Sequence, residues 1–238
     1  VDAAASTYPR LVFNAAFQDL PKSAAIAGNI PADWPGGKGL RPYYTPKDAR
    51  DATLVFESRF ECGNLARAVQ VDAYEYELHL SVDTNTNGHT QWYYFSVSNM
   101  RAGPRYVLRI VNLLKKKSLY QEGLRPLMFS AAWEREQPGQ GWRRIGTSVE
   151  YYQNENKVPR KRNRYYSTLR FELEFPHEGD TCFLAHCYPY TYTDLVHHLN
   201  ELERHLPADV IFRRQYLCRT EAGNDCELLT ITGRDAPA

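Results

Sequence analysis

The sequence contains no long apolar run and no cysteine pattern that would indicate a disulfide scaffold. It lacks a run of about 18 apolar residues, and it does not begin with the charged, apolar and small-residue order of a signal peptide. Its five cysteines are Cys62, Cys182, Cys187, Cys218 and Cys226. An odd and scattered set indicates reduced thiols, so the sequence predicts a cytoplasmic protein and neither a membrane span nor a disulfide-rich secreted domain.

Net charge is also small. Lysine and arginine number 29 against 28 acidic residues, which gives +1. No overall electrostatic field therefore favours nucleic acid or a membrane surface as a partner.

Hydrophobic residues make up 43% of the chain, enough for a sizeable core. The chain begins with Val1, which predicts a segment of a longer protein.

Two short motifs resemble metal sites. His198-Leu199-Asn200-Glu201 has the His-x-x-Glu form, and on a helix His198 and Glu201 could share a metal, as could Glu201 and His205. However, His198 and His205 would lie about 10 Å apart along the axis. A solvated helix face is therefore the favoured interpretation.

The second motif comprises Cys182, His186 and Cys187. On a strand the first two would point to one face and Cys187 to the other, and no second Cys-x-x-Cys pair completes a tetrahedral site. Structural thiols are therefore favoured. The sequence predicts no metal ligands and no self-sufficient active site within this segment.

The chain has three compositional regions. Residues 1–52 are rich in proline and glycine, which predicts an irregular segment, partly ordered by Trp34, Tyr43 and Tyr44. Residues 53–193 carry short strand patterns, such as the alternation from Tyr76 to Val82. The further predicted strands are Trp92–Val97, Tyr106–Val111, Leu127–Ala131, Val149–Tyr152, Tyr166–Phe175 and Cys182–Cys187. This series predicts a mostly β fold, an antiparallel β-sandwich, which fits better than a closed barrel.

In residues 194–238 the spacing of the apolar residues changes from the period of a strand to that of a helix. Leucines at 195, 199, 202 and 206 predict a helix, which Thr191 and Asp194 would cap and Pro207 would end. Ile211–Cys218 and Cys226–Thr232 then predict a strand pair. A helix followed by a strand pair indicates the opening of a second, truncated domain.

Two segments concentrate positive charge: Lys115–Lys117 and the run from Lys157 to Arg164. Such runs are most often solvated loops. The functional alternative is an approach surface for an acidic peptide, formed by Lys115, Lys116, Lys117, Arg160, Lys161, Arg162 and Arg164. No phosphate-binding signature or aromatic RNA platform accompanies them, so nucleic acid is not predicted.

Three sequence motifs, taken in their order along the chain, carry a family resemblance. They are Phe56-Glu57-Ser58-Arg59-Phe60-Glu61-Cys62-Gly63-Asn64-Leu65, then Asp83-Thr84-Asn85-Thr86 with Gln91-Trp92-Tyr93-Tyr94-Phe95, then Cys187-Tyr188-Pro189-Tyr190-Thr191-Tyr192-Thr193-Asp194-Leu195. In that order the chain resembles the N-terminal domain of the cytosolic carboxypeptidases, over residues 55–232. The resemblance implies a β-sandwich followed by the start of an α/β carboxypeptidase domain.

By the same resemblance, the parent protein would be a zinc enzyme that removes glutamates from tubulin and related acidic tails. Its zinc ligands would lie outside this chain, which would itself be inactive. Tyr188, Pro189, Tyr190 and Tyr192 would contact the protein's own catalytic domain. The location would be cytoplasmic, with association to microtubules or cilia. The strand pair could also mediate self-association of the fragment. The alternative is a stand-alone β-sandwich binding module.

Overall fold

Strands dominate the computed structural model, which describes residues 8–15, 44–86, 88–159, 161–207 and 210–233. The chain divides into two compact units, the first ending at Pro189 and the second beginning at Tyr190. None of the helices in these ranges is long and apolar enough to cross a membrane.

The first unit contains two β-sheets. Its strands are β1 (Arg10–Asn14), β2 (Val55–Glu57), β3 (Leu65–Asp72), β4 (Glu75–Leu80), β5 (Tyr94–Ser98), β6 (Arg105–Leu113), β7 (Leu127–Ser130), β8 (Trp142–Arg144), β9 (Thr147–Lys157), β10 (Tyr165–Glu174) and β11 (Cys182–Ala185). Six strands form one sheet in the order β1-β3-β4-β6-β10-β9, and five form the other in the order β2-β5-β11-β7-β8. The predicted mostly β, antiparallel architecture is confirmed, except that β4 and β6 run parallel.

The core lies between the two sheets. In β4 every second residue is buried, as is every second residue from Leu169 to Leu173 of β10 in the same sheet, and the same alternation in β5 of the other sheet supplies facing side chains. Phe56 of the five-stranded sheet and Tyr76 of the six-stranded sheet approach to 5.3 Å between ring centroids. The hydroxyl of the fully buried Tyr76 accepts a hydrogen bond from Leu54 N at 2.9 Å. Burying aromatic rings while satisfying their polar ends stabilises a single arrangement of the sandwich.

The outer face of the six-stranded sheet carries paired charges. Arg105 lies 3.5 Å from Glu172, and Arg170 lies 2.7 Å from the same carboxylate. Arg109 forms an ion pair with Glu75 on the neighbouring strand. These residues alternate with buried ones along their strands, so this face is a solvated, charge-balanced surface.

A buried carboxylate secures one end of the sandwich. Asp180, 5% exposed, accepts hydrogen bonds from Ser130 Oγ at 2.5 Å, Ala132 N at 3.1 Å and Thr181 N at 2.8 Å. Ser130 Oγ in turn accepts from Trp133 N and caps the short helix α1 (Ala131–Glu136). The helix α1 was not predicted from the sequence, because six residues are too few to show a helical period.

The N-terminal region contains a strand that the prediction of an irregular segment did not include. Arg10–Asn14 pairs antiparallel with β3, and Leu11 to Asn14 are buried. Tyr44 is 2% exposed, and its amide donates to the carbonyl of Val12 at 2.8 Å. Trp34 and Tyr43, which were expected to order this region, lie outside the described residues.

The second unit consists of α2 (Tyr192–His205), β12 (Val210–Arg219) and β13 (Asp225–Gly233). Thr191 Oγ1 accepts from Asp194 N at 3.0 Å and Asp194 Oδ2 accepts from Thr191 N at 2.9 Å, the predicted capping box. Leu199 is the buried centre of the predicted leucine stripe. The two strands pair antiparallel.

Candidate functional site

The two basic segments of the first unit lie toward the same end of the six-stranded sheet. Lys115–Lys117 follow the end of β6, and Lys161, Arg162 and Arg164 lie in the segment that joins β9 to β10. Leu113 of β6 pairs with Ser167 near the start of β10. Because β6 and β10 are antiparallel neighbours, β6 ends and β10 begins at the same end of the sheet. The register thus places at the same end of the sheet two segments that are about 40 positions apart in sequence.

Backbone contacts hold both segments in place. The Tyr151 hydroxyl of β9 donates to the carbonyl oxygen of Lys115 at 2.5 Å. In the β9–β10 turn, Val158 N donates to the Arg164 carbonyl at 2.8 Å, and Lys161 N donates to the Val158 carbonyl at 3.2 Å. Val158 is only 6% exposed and anchors the turn. The scaffold therefore fixes the backbone and leaves the charged side chains outward.

We call this surface the basic edge and define it as Lys115, Lys116, Lys117, Lys157, Lys161, Arg162 and Arg164, all of them exposed. Arg160, predicted with them, lies outside the described residues. In the described part of the chain none of these seven side chains forms an ion pair with an acidic residue, whereas Arg105, Arg109 and Arg170 on the same sheet all do. The cations of the basic edge are thus available to carboxylates from elsewhere.

A chain of polar contacts lies inside the sandwich near this edge. The Tyr93 and Tyr120 hydroxyls are 2.7 Å apart, and the Tyr120 hydroxyl lies 3.0 Å from His186 Nδ1. Burial, and then the positive charges of Arg144 and Lys115, lower the pKa of His186. Burial also raises the pKa of Tyr120 to about 12. All three groups are therefore neutral at neutral pH, which suits a structural network.

The candidate metal ligands do not converge. Cys182 Sγ lies 3.4 Å from the buried Asp180, His186 contacts Tyr120, and Cys187 is exposed. Glu201 pairs with Arg204 at 2.6 Å and with His205 at 3.4 Å on an exposed helix face. Among the described residues no group of three or more histidine, cysteine, aspartate or glutamate side chains could hold a metal ion. These residues therefore do not fit a catalytic zinc site, and we assign them no metal-dependent step.

The outer face of the five-stranded sheet is aromatic. Phe129, Phe183 and Tyr94 lie on three adjacent strands; Phe183 and Phe129 are register partners, 6.1 Å apart, and Phe183 is 5.9 Å from Tyr94. Their chain neighbours Met128, Leu184 and Phe95 belong to the core. We call the set Phe60, Tyr94, Phe129, Trp142, Phe183 and Tyr188 the aromatic face.

The predicted interface residues lie beside the junction of the two units. In the first unit, Tyr188 is 60% exposed and packs against Trp142 at 6.1 Å. In the second, Tyr190 is 61% exposed and Tyr192 begins α2. Pro189 is half-buried. Their role as an interface stays a prediction.

Of the aromatic face, only Tyr188 was predicted from the sequence as an interface residue. The signal was present, since β5, β7 and β11 have large apolar residues at successive positions and therefore on both faces.

Comparisons with known proteins identify relatives of this chain. A sequence model described as the cytosolic carboxypeptidase N-terminal domain matches residues 56–186. The chain is 49% identical to cytosolic carboxypeptidase 2 of Danio rerio over 77% of its own length and 25% of that protein. It is 47% identical to the Homo sapiens cytosolic carboxypeptidase 2 over 79% of its length and 20% of that protein.

The fold also resembles a solved metallo-carboxypeptidase from Burkholderia cenocepacia, with a TM-score of 0.54 and 20% identity, covering 78% of this chain and 41% of that one. The chain thus spans about a fifth to a quarter of the curated relatives that it matches. Because the family match covers more than half of its residues, the chain belongs to the cytosolic carboxypeptidase family and contains that family's N-terminal domain.

Proposed function

We propose that this chain is the accessory N-terminal portion of a zinc carboxypeptidase that removes glutamates from acidic protein tails such as polyglutamylated tubulin. In this proposal the basic edge attracts the tail, and residues 194–238 begin the catalytic domain. The supporting observation is that, among the described residues, none of the seven cations of the basic edge forms an ion pair with an acidic side chain, whereas Arg105, Arg109 and Arg170 of the same sheet do. A substrate on tubulin tails would place the protein at microtubules in the cytoplasm.

Electrostatics suit the basic edge to this role. A single exposed ion pair contributes only about 0–1 kcal/mol, because water and salt screen it. Several cations that act together on a tail with several carboxylates raise the encounter rate and the local concentration of that tail. Binding of this kind tolerates variation in the tail, because it depends on charge density rather than on a fitted pocket.

The hydrolytic step is not assigned to this chain. The described residues do not form a zinc site, and the relatives are four to five times longer than the matched segment. The catalytic zinc, its ligands and the general base would belong to the remainder of the full-length protein. The fragment alone would therefore be inactive.

The aromatic face would pack against that catalytic domain, together with Tyr188, Pro189, Tyr190 and Tyr192. The two outer faces of the sandwich differ: one carries paired charges, and the other carries half-buried rings. Surfaces rich in aromatic residues and poor in charge are typical of interfaces. A stand-alone binding module would use the same face for a separate partner, but the length of the relatives favours an intramolecular role.

The proposal predicts a specific kinetic change. In the full-length enzyme, Lys161→Glu together with Arg162→Glu is expected to raise KM for a glutamate-rich substrate about fivefold to tenfold at low salt, with kcat nearly unchanged. Each reversal removes one attraction and adds one repulsion, which together cost about 0.5–0.7 kcal/mol at an exposed site, so the two reversals cost about 1–1.4 kcal/mol. Steady-state kinetics at two ionic strengths measures the effect, which should shrink as salt rises.

The matched control reverses two exposed arginines outside the basic edge, Arg50→Glu with Arg135→Glu. It changes the net charge equally and should leave KM nearly unaltered. An equal rise of KM in both double variants would indicate a general charge effect. Unchanged KM in the Lys161 and Arg162 variant at low salt would show that the basic edge is only a solvated loop.

A further inference from the structure

The second unit contains a pair of cysteines that face each other across two strands. Cys218 of β12 and Cys226 of β13 are register partners, two residues before Thr220 and two after Asn224 at the hairpin turn. Directly opposed residues in an antiparallel pair have Cα atoms about 4.5–5.5 Å apart, which lies within the range of about 4.4–6.8 Å that a disulfide requires. The pairing thus places two thiols at bonding reach although they are eight positions apart in sequence.

Local contacts fix this register close to the turn. Thr220 N donates to the Asn224 carbonyl at 2.8 Å, and Gly223 N donates to the Thr220 carbonyl at 2.9 Å. Between the turn and the cysteines, Arg219 and Asp225 form an ion pair at 3.4 Å. These contacts lie on both sides of the turn, so the two thiols stay opposed while the hairpin is formed.

The two thiols are accessible to small molecules and differ in environment. Cys218 is exposed and Cys226 is half-buried. Desolvation, and then the charge and hydrogen bond of the Cys218 side chain, raise the pKa of the Cys226 thiol. Because they are register partners, the two side chains lie on the same face of the hairpin. Cys218 is the more exposed thiol and would react first. Cys226 is the neighbouring thiol that can then attack the Cys218 sulfur.

We propose that Cys218 and Cys226 form a reversible intramolecular disulfide when the protein meets a small-molecule disulfide such as oxidised glutathione. The inference does not depend on the proposed function. It assigns to the hairpin a modification site whose oxidised form ties β12 to β13 beside the turn.

The chemistry proceeds by two exchanges. The Cys218 thiolate attacks one sulfur of oxidised glutathione, whose S–S bond breaks, and a mixed disulfide forms while one glutathione thiolate leaves. The Cys226 thiolate then attacks the Cys218 sulfur and displaces the second glutathione thiolate. The two protons released by the cysteines are taken up by the two glutathione thiolates. The protein loses two electrons and oxidised glutathione gains them.

Peptide mapping tests the proposal directly. Trypsin separates the two cysteines, because cleavage after Arg214, Arg219 and Arg234 places Cys218 in peptide 215–219 and Cys226 in peptide 220–234. After treatment of the 238-residue chain with oxidised glutathione, the disulfide-linked pair of peptides should exceed the singly glutathionylated peptides by about tenfold or more, since a neighbouring thiol acts at a high effective concentration. Reduced glutathione in excess should separate them again.

Variants make the result specific. In Cys226→Ser, Cys218 should retain glutathione as a stable mixed disulfide, because no thiol is present to displace it. Cys187→Ser removes an exposed thiol of the first unit and should leave the linked peptides unchanged. Glutathione retained separately on Cys218 and Cys226 in the wild-type chain would overturn the proposal. A linked pair found only in disulfide-bonded dimers on a non-reducing gel would overturn it as well.

Discussion

Asp180→Ala is expected to destabilise the sandwich by about 3 kcal/mol. The Asp180 carboxylate is buried and accepts from Ser130 Oγ, Ala132 N and Thr181 N, so alanine leaves these donors without their acceptor. A buried donor left unsatisfied costs about 1–3 kcal/mol, and hydrogen bonds to a charged group contribute about 1.5–3 kcal/mol. Urea unfolding followed by tryptophan fluorescence measures the change in the free energy of unfolding.

Asp180→Asn is the matched control. Asparagine keeps one carbonyl oxygen as an acceptor but lacks the charge and the second oxygen, so a loss of about half as much is expected. A loss below about 0.5 kcal/mol in Asp180→Ala would be the size of an ordinary surface substitution. It would contradict the structural role given to this carboxylate.

The hairpin of the second unit is expected to open far more readily than the sandwich. Amides of residues 211–232 should exchange with solvent at least about 100-fold faster than those of β4, because a two-stranded sheet is marginal in water and its local opening costs little. Tyr216, Leu217 and Ile231 are 63%, 57% and 61% exposed, so little apolar burial protects these strands. Hydrogen exchange followed by mass spectrometry measures both regions in one sample.

The protein concentration provides the control for this measurement. If protection of residues 211–232 rises with concentration, the open strand edges pair between copies, which is the self-association that unpaired edges favour. Protection equal to that of Glu75–Leu80 in a strict monomer would contradict the expectation. The strand pair would then belong with the sandwich, and the predicted boundary near Thr193 would be misplaced.

Strands and helices could be predicted from the sequence where apolar residues alternate strictly with polar ones or form a stripe along one helical face. The alternation from Tyr76 to Val82 gave β4, and the leucine stripe with Thr191 and Asp194 gave α2. β1 was hidden because its five residues lie in a region whose overall composition is rich in proline and glycine. The parallel pairing of β4 with β6 depends on tertiary packing, which no local pattern expresses.

The candidate site was predictable in composition but not in arrangement. Clusters of lysine and arginine in the sequence identified both basic segments. Their position at the same end of the six-stranded sheet follows from the pairing of Leu113 with Ser167, which the sequence does not show. That no described carboxylate pairs with these cations likewise appears only once the acidic side chains are placed. The aromatic face escaped because Tyr94, Phe129 and Phe183 are far apart in sequence and become neighbours only through the order of the five-stranded sheet.

Titration of the 238-residue chain with a glutamate-rich peptide, followed by NMR of the backbone amides, tests whether the basic edge binds acidic tails. We predict that amides of Lys115–Lys117 and of residues 157–164 shift together with one dissociation constant. Binding should weaken about tenfold as ionic strength rises from about 0.01 M to about 0.15 M, where the Debye length falls from about 30 Å to about 8 Å. A peptide with glutamine in place of glutamate should cause no shifts. Absence of shifts at the basic edge at low salt, or equal shifts with the glutamine peptide, would show that the basic edge does not recognise carboxylates.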